Sequence, residues 1–175
     1  MTPADLHELR PAESVAAREL ILRILNHEYA MALTLDELPD LVDIHATYRH
    51  SEGNFWVASI GGDVVGCIGV LRLAGADFEL RRMYVDAAAR GQGIAQRLLE
   101  TALAWCAERG VGDLYLETNE QWKAAHHIYE KRGFVAVERE QLPPAFPVVR
   151  VATGFYRLGI APAAPANERP CPRSS

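Results

Sequence analysis

Residues 90–95 read Arg-Gly-Gln-Gly-Ile-Ala, and they stand where an apolar strand pattern ends and an amphipathic helical pattern begins. A turn needs about one glycine, and a helix start is better served by a capping side chain. Gly91 and Gly93 instead keep the backbone bare for something to approach. A helix N-terminus offers unsatisfied N–H groups and about half a positive charge, so the natural guest is an anion such as phosphate. Arg90 or Arg97 can add a point charge. The plainer alternative is a glycine-rich turn that enters a helix and does nothing more.

Better-known phosphate motifs do not fit. A Walker A loop needs Gly-Lys-Ser/Thr, whereas Gly93 is followed by Ile94 and Ala95. A dinucleotide fingerprint needs glycine where this chain has Gln96, and no convincing acidic residue follows in a repeating βαβ context. His126 and His127 are adjacent on a helix and cannot face one site together, and His45 and His50 are not spaced as a ligand pair. With no Cys/His constellation, no metal is expected. Ser/His/Asp hydrolysis lacks a nucleophile elbow. Cys67 and Cys106 fall in apolar strand and helix patterns and read as core, and no CxxC pair occurs.

The elements that must hold the glycine run follow from periodicity. Asp5–Pro11 predicts a short first strand, and Ala12–Ala30 a helix with Ala17, Leu20, Ile21 and Ile24 on one stripe. A second, shorter helix starts near Pro39 and Asp40, which suit a first turn. Asn54–Ile60 and Val64–Leu73 form a hairpin across Gly61-Gly62-Asp63, and Phe78–Val85 continues the meander. The next helix spans Gly91–Arg109, ended by Gly110 and Gly112. A strand (Asp113–Thr118), a helix (Gln121–Arg132) and two strands (Phe134–Glu140 and Val148–Leu158) close the order β-α-α-β-β-β-α-β-α-β-β. The expected fold class is α/β: a mixed, mostly antiparallel central sheet with helices on both faces. One domain over residues 1–158 is expected, with a Pro/Ala-rich tail over 159–175 that includes Cys171.

The chain has 175 residues, 49% of them apolar and 23% charged, a globular balance. Its net charge of −5 argues against a nucleic-acid partner. The N-terminal run has no basic segment followed by an apolar one, and no stretch approaches the ~20 apolar residues that span a membrane. A reducing cytoplasm is the expected compartment.

At this point the sequence resembles the GNAT superfamily of acyl-CoA-dependent N-acyltransferases. Their signature, Arg/Gln-x-x-Gly-x-Gly/Ala, reads here as Arg90 through Ala95 without a gap. "FELRRMYV" before the run looks like the family's central strand, and "LYLETNEQWKAAHHIYEKRGF" after the helix looks like its second cofactor segment. The resemblance implies that main-chain amides of Arg90, Gly91, Gln92, Gly93, Ile94 and Ala95 cradle the pyrophosphate of acetyl-CoA, the co-substrate. It also implies that the pantetheine arm lies in a splay between two strands, pairing near Met83 and Val85, with Asn119 reaching it. Asn119 reads equally as an ordinary turn residue.

The resemblance implies catalytic roles for Tyr129 and Glu79. A phenol of reference pKa ~10 is a reasonable donor to a thiolate of pKa about 8.5, so Tyr129 is the expected general acid; a core tyrosine between Ile128 and Phe134 is the other reading. Glu79 stands where the histone-acetylating branch carries a basic glutamate; a surface residue paired with Arg81 or Arg82 is the other reading. Strand alternation puts Glu79, Arg81, Met83 and Val85 on one face unless a bulge intervenes. The first two helices and the loop "QLPPAFPVV" are expected to recognise the acceptor. Tyr29, Tyr48, Glu28 and Asp36 are available to an amine, and Phe55 and Trp56 to the channel wall or, more simply, the core. The implied reaction is acetyl transfer by direct attack of a primary amine on a small molecule. A peptide or protein amine, or a non-catalytic acyl-CoA-binding module, are the alternatives. A homodimer fits the resemblance, though nothing in the sequence marks an interface.

Overall fold

The structure is a computed structural model that describes residues 3–148 and 152–162. β1 (Asp5–Glu8), β2 (Asn54–Ile60), β3 (Asp63–Ala74), β4 (Asp77–Val85), β5 (Asp113–Thr118), β6 (Val135–Val137) and β7 (Gly154–Gly159) form one sheet in the order β1-β2-β3-β4-β5-β7-β6. All neighbours run antiparallel except β4 and β5, which are parallel. The sheet is therefore mixed and mostly antiparallel, as its hairpins and its single helical crossover require.

Helices cover both faces. α1 (Ser14–Arg23) and α2 (Ile44–His50) pack on one face through Leu20, Ile21, Ile44 and Tyr48, against Phe55, Val57 and Cys67. α3 (Ile94–Glu108) and α4 (Lys123–Lys131) cover the other through Leu98, Leu99, Ala102, Cys106 and Tyr129. Full burial of each aliphatic side chain contributes roughly 1.5–3 kcal/mol, an upper figure because the unfolded chain already hides some area. Phe55 and Trp56 are core residues, Trp56 lying edge-on to Trp105 at 5.7 Å. Cys67 and Cys106 are free and buried, and burial pushes both thiols up to about 12. Cys171 lies outside the described residues.

Several boundaries differ from the sequence reading. α1 gives way at Ile24 to a π-helical turn, Ile24–Glu28, in which Tyr29 N reaches back to Ile24 O. The second helix starts at Ile44 rather than Pro39, because Asp43 caps it by accepting from Ala46 N at 2.9 Å. α3 starts at Ile94, since Gly91 and Gly93 sit in the left-handed region that a helix cannot contain. β6 is short because Glu138 N bonds to the Gln141 side chain in a 3₁₀ turn. The last strand starts at Gly154, and residues 149–151 of the anticipated strand are outside the described part. β7 runs to Gly159, and Ile160 N still bonds to Gly112 O, so the order extends past residue 158. The anticipated tail from 163 onward is outside the described residues.

Candidate active site

β4 and β5 pair only from Asp77↔Asp113 to Glu79↔Tyr115. Beyond Glu79 they part, and from Leu80 to Val85 the β5-facing edge of β4 has no ladder partner among the described residues. A cleft of about 780 Å³ occupies the gap and reaches both faces of the sheet. On the α3 side it is lined by Arg90, Gly91, residues 93–96, Met83, Val85 and Tyr129; on the α1 side by Glu79, Arg81, Tyr84, Trp122 and parts of the 24–40 segment.

The α3 side is built from main chain. Gly93 is the N-cap of α3 with φ +73°, and Gly91 has φ +77°. A Cβ at either position would meet no protein atom within 4 Å, so no neighbour in the fold crowds these positions. Gly93 offers no capping side chain, and the first N–H groups of an α-helix have no intrahelical acceptor. The result is a helix N-terminus with free donors, a left-handed approach and an open mouth, which suits a pyrophosphate. The nearby guanidiniums are already engaged. Arg90 donates from Nε to Val85 O and from Nη2 to Glu28, at 2.9 and 2.6 Å, and Arg97 donates to Ala4 O at 3.1 Å. Gln92 is exposed and does not line the cleft, while the Ile94 side chain is buried in the core.

Between the two sides, β4 is bulged. Cys67 pairs with Tyr84 and Gly69 with Arg81, so Arg82 and Met83 together face Ile68. Arg82 takes φ +58°, unusual for a residue with a side chain, and its carbonyl accepts from Cys67 Sγ at 3.2 Å. The bulge corrects the alternation anticipated above. Glu79, Arg81 and Tyr84 turn toward the α1 side, whereas Met83 and Val85 pack with the α3 core.

The α1 side is built from side chains. Glu79 is 1% exposed, and both its carboxylate oxygens are buried without a hydrogen bond. Arg81 Nε lies 3.0 Å from Oε1, an ion-pair distance without hydrogen-bond alignment. Burial pushes Glu79 up to about 7; Arg81 opposes the shift and the charge of Glu117 adds to it. The pairing with Arg81 that the simpler reading expects is present, but the residue is buried rather than on the surface. Arg82 forks onto the buried Asp40, Nε to Oδ2 at 2.9 Å and Nη2 to Oδ1 at 2.7 Å, and Tyr48 OH adds a longer bond of 3.3 Å. Burial alone would raise Asp40, but the bonds and charge of Arg82 win and hold it below its ordinary value. Asn26 pins the wall by bonding both Leu33 N and Leu33 O at 2.8 Å, which holds Ala30 and Ala32 in left-handed conformations. Trp122 closes the side from α4, 5.4 Å from Tyr29 and 6.2 Å from Tyr84.

Tyr129 is 6% exposed and lines the cleft, wedged between Phe134 and Tyr156. Burial, with the neighbouring Tyr84, raises its pKa, so the phenol stays protonated across the neutral range. The fold therefore brings Glu79, Tyr129 and the 90–95 run to one cleft. It does not bring Asn119 there: its Oδ1 accepts from Gln121 N at 3.0 Å in a turn before α4. Of the residues suggested for an amine, Tyr29 and Asp40's partner Tyr48 lie at or behind the α1 wall, Glu28 holds Arg90, and Asp36 is exposed. Among the described residues no group of His, Cys, Asp and Glu is arranged to hold a metal, and no helix is long and apolar enough to cross a membrane.

Glu117 and the Arg82–Asp40 clamp escaped the sequence reading. A signal existed: Glu79, Arg81 and Arg82 in an otherwise apolar strand demand buried partners. The partner Asp40 is 42 positions away, and spacing does not reveal such a pair.

Comparison with known proteins bears on this geometry. Residues 18–134 match the Acetyltransferase (GNAT) family. A mouse protein described as probable N-acetyltransferase family 8 member 5 is 37% identical over 100 residues, 54% of this chain and 44% of its own length. The chain thus spans less than half of that relative. An uncharacterized N-acetyltransferase of Escherichia coli K12 is 32% identical over 126 residues, 67% of this chain and 74% of that protein. A crystal structure of a GNAT-family acetyltransferase from Staphylococcus aureus Mu50 superposes with a TM-score of 0.86 at 30% identity, covering 90% of this chain and 99% of that one.

Proposed function

Because the chain belongs to the GNAT acetyltransferase family, we propose that it transfers an acetyl group from acetyl-CoA to the amine of a small molecule. The observation that carries the reading is the cleft where β4 and β5 part, with a bare helix N-terminus at one end and a buried carboxylate that accepts no hydrogen bond at the other. Its volume of about 780 Å³ lies in the range of small-molecule sites, and the pinned 24–40 wall limits the room for a protein chain.

In this reading the α3 N-terminus takes the pyrophosphate, and the unpaired edge of β4 near Met83 and Val85 takes the pantetheine as an added strand. An amine must be neutral to attack. Glu79, close to neutrality in its pKa, accepts the proton of the entering ammonium. The amine nitrogen then bonds to the thioester carbon, the carbon–sulfur bond breaks, and the nitrogen's second proton passes to solvent as the amide forms. Tyr129 donates its proton to the departing sulfur and regains one from solvent. Tyr129 and Glu79 lining one cleft support turnover rather than mere binding.

The test is a calorimetric titration with acetyl-CoA followed by thiol-release assays on an amine panel. Micromolar binding and turnover on at least one amine are expected. Tyr129→Phe should lower kcat by roughly 10- to 10⁴-fold while acetyl-CoA affinity stays within about twofold. Unchanged turnover in that variant removes the acid role, and failure to bind acetyl-CoA removes the reading.

A further inference from the structure

The adjacent arginines of β4 have different fates. Arg82 is 11% exposed and fully engaged, its fork closed by Asp40 and its charge cancelled. Arg81 is 16% exposed, lines the cleft, and meets Glu79 through Nε only. Among the described residues, nothing hydrogen-bonds to its Nη1 or Nη2. A guanidinium so far removed from water normally finds a planar anion for its forked edge. Glu79 has the converse deficit, a buried carboxylate with no donor aligned to either oxygen. The two stand two residues apart before the bulge, on the same side of the strand.

We infer that this pair recognises an acceptor carrying both an amine and a carboxylate, namely a free α-amino acid, with Arg81 taking the carboxylate and Glu79 the ammonium group. The inference rests on the acetyltransferase reading above and narrows its substrate class. The side chain of the amino acid is apolar, because beyond its charged groups, Glu117 among them, this wall presents Leu25, Met31, Leu33, Leu38 and Trp122. Charge accounting favours a zwitterion. Between themselves Arg81 and Glu79 neutralise each other imperfectly, at ion-pair distance without a hydrogen bond. A zwitterion replaces that contact with two opposite-charge contacts and leaves the net charge of the cleft unchanged. Its carboxylate also draws Arg81 away from Glu79, freeing the base to accept the amine's proton. An amine without a carboxylate has to displace Arg81 and leaves its guanidinium buried and unpaired, which costs more than the new contact returns.

The experiment compares matched acceptors with the full chain at saturating acetyl-CoA: L-leucine and L-phenylalanine, their α-amides, and 2-phenylethylamine. The free amino acids should exceed the amides and the simple amine by at least about 100-fold in kcat/KM. Arg81→Met keeps an apolar stem in the wall and should reduce that preference to about fivefold or less, chiefly through KM for the amino acid, with acetyl-CoA affinity unchanged. The wild-type panel decides even where the variant folds poorly. If the amides or the amine match the amino acids, the inference falls and the N-acetyltransferase reading stands. If the chain binds acetyl-CoA but acetylates no amine of either kind, both fall.

Discussion

On the α3 side of the cleft, the groups offered to a ligand, the Tyr129 phenol apart, belong to the main chain: helix-start amides, two left-handed glycines and an unpaired strand edge. On the α1 side they belong to side chains, and charged ones: Glu79, Arg81 and Glu117, with the Arg82–Asp40 clamp behind them. The difference has a chemical consequence. A site made of backbone tolerates most side-chain changes around it, because its donors belong to the main chain. A site made of buried charges is tied to one arrangement of partners, so it can select an acceptor and is easily broken. The bulge at Arg82 joins the two, since one residue sets both the face presented by Glu79 and the edge offered by Met83.

If that contrast is right, Asp40→Asn should damage one side alone. It strips the charge from under a guanidinium that is 11% exposed, and breaking such a pair costs about 3–5 kcal/mol. In a chain of this length that corresponds to a melting temperature lower by roughly 6–20 °C. Free CoA should still bind within about twofold, because the hydrogen bonds and ion pair of Asp40 go to Arg82 and Tyr48 and not to the 90–95 run. A parallel loss of CoA affinity, measured by calorimetry below the melting transition, would show that the two sides are one unit.

Glu79→Gln sharpens the same contrast at a smaller scale. The folded pKa of about 7 lies above the ordinary 4.5, so the folded chain holds the proton more tightly than the unfolded one. Stability attached to the protonated form is fully present below about 4.5 and is lost as pH rises through 7. The glutamine variant carries no charge to bury. It should match the wild type near pH 4 and exceed it by up to roughly 3 kcal/mol at pH 8, read from denaturant melts at both values. Activity should move the other way. Wild-type kcat/KM rises with pH through about 7 as the carboxylate ionises, and the variant should be slower and lack that limb. A limb that survives in the variant assigns the titration to another group, Glu117 or the acceptor amine itself.

The same division explains what could be read from the chain beforehand. The glycine run and α3 are written locally, in residue types that fix φ or in a stripe such as Leu98, Leu99 and Ala102, whereas the parting of the strands is implied only by the family resemblance. The α1 side is not written locally. Asp40 reads as a first-turn helix acid until the fold carries it to Arg82. The bulge is hidden because a left-handed residue is expected to be Gly or Asn, and here an arginine holds that conformation under the grip of Asp40 and the Cys67 thiol. Glu79 itself was visible, but its burial was not: alternation suggests a face, whereas its shielding from water comes from the π turn, the 31–40 segment and Trp122 laid over that face.

The finest test concerns Gly93, where two explanations make the same demand. A glycine is required if the turn needs φ +73°, and also if a ligand must approach the main chain. Asparagine separates them, because it tolerates the left-handed region where valine is a true outlier. Gly93→Val should lose about 1–2 kcal/mol of stability and also bind acetyl-CoA poorly, which decides nothing alone. Gly93→Asn should melt within about 2 °C of the wild type, yet bind acetyl-CoA about tenfold more weakly. Its side chain would project into the space that no protein atom occupies within 4 Å. If Gly93→Asn binds acetyl-CoA at full strength, the glycine serves the turn only, and the α3 side loses its claim to be a site built from bare backbone.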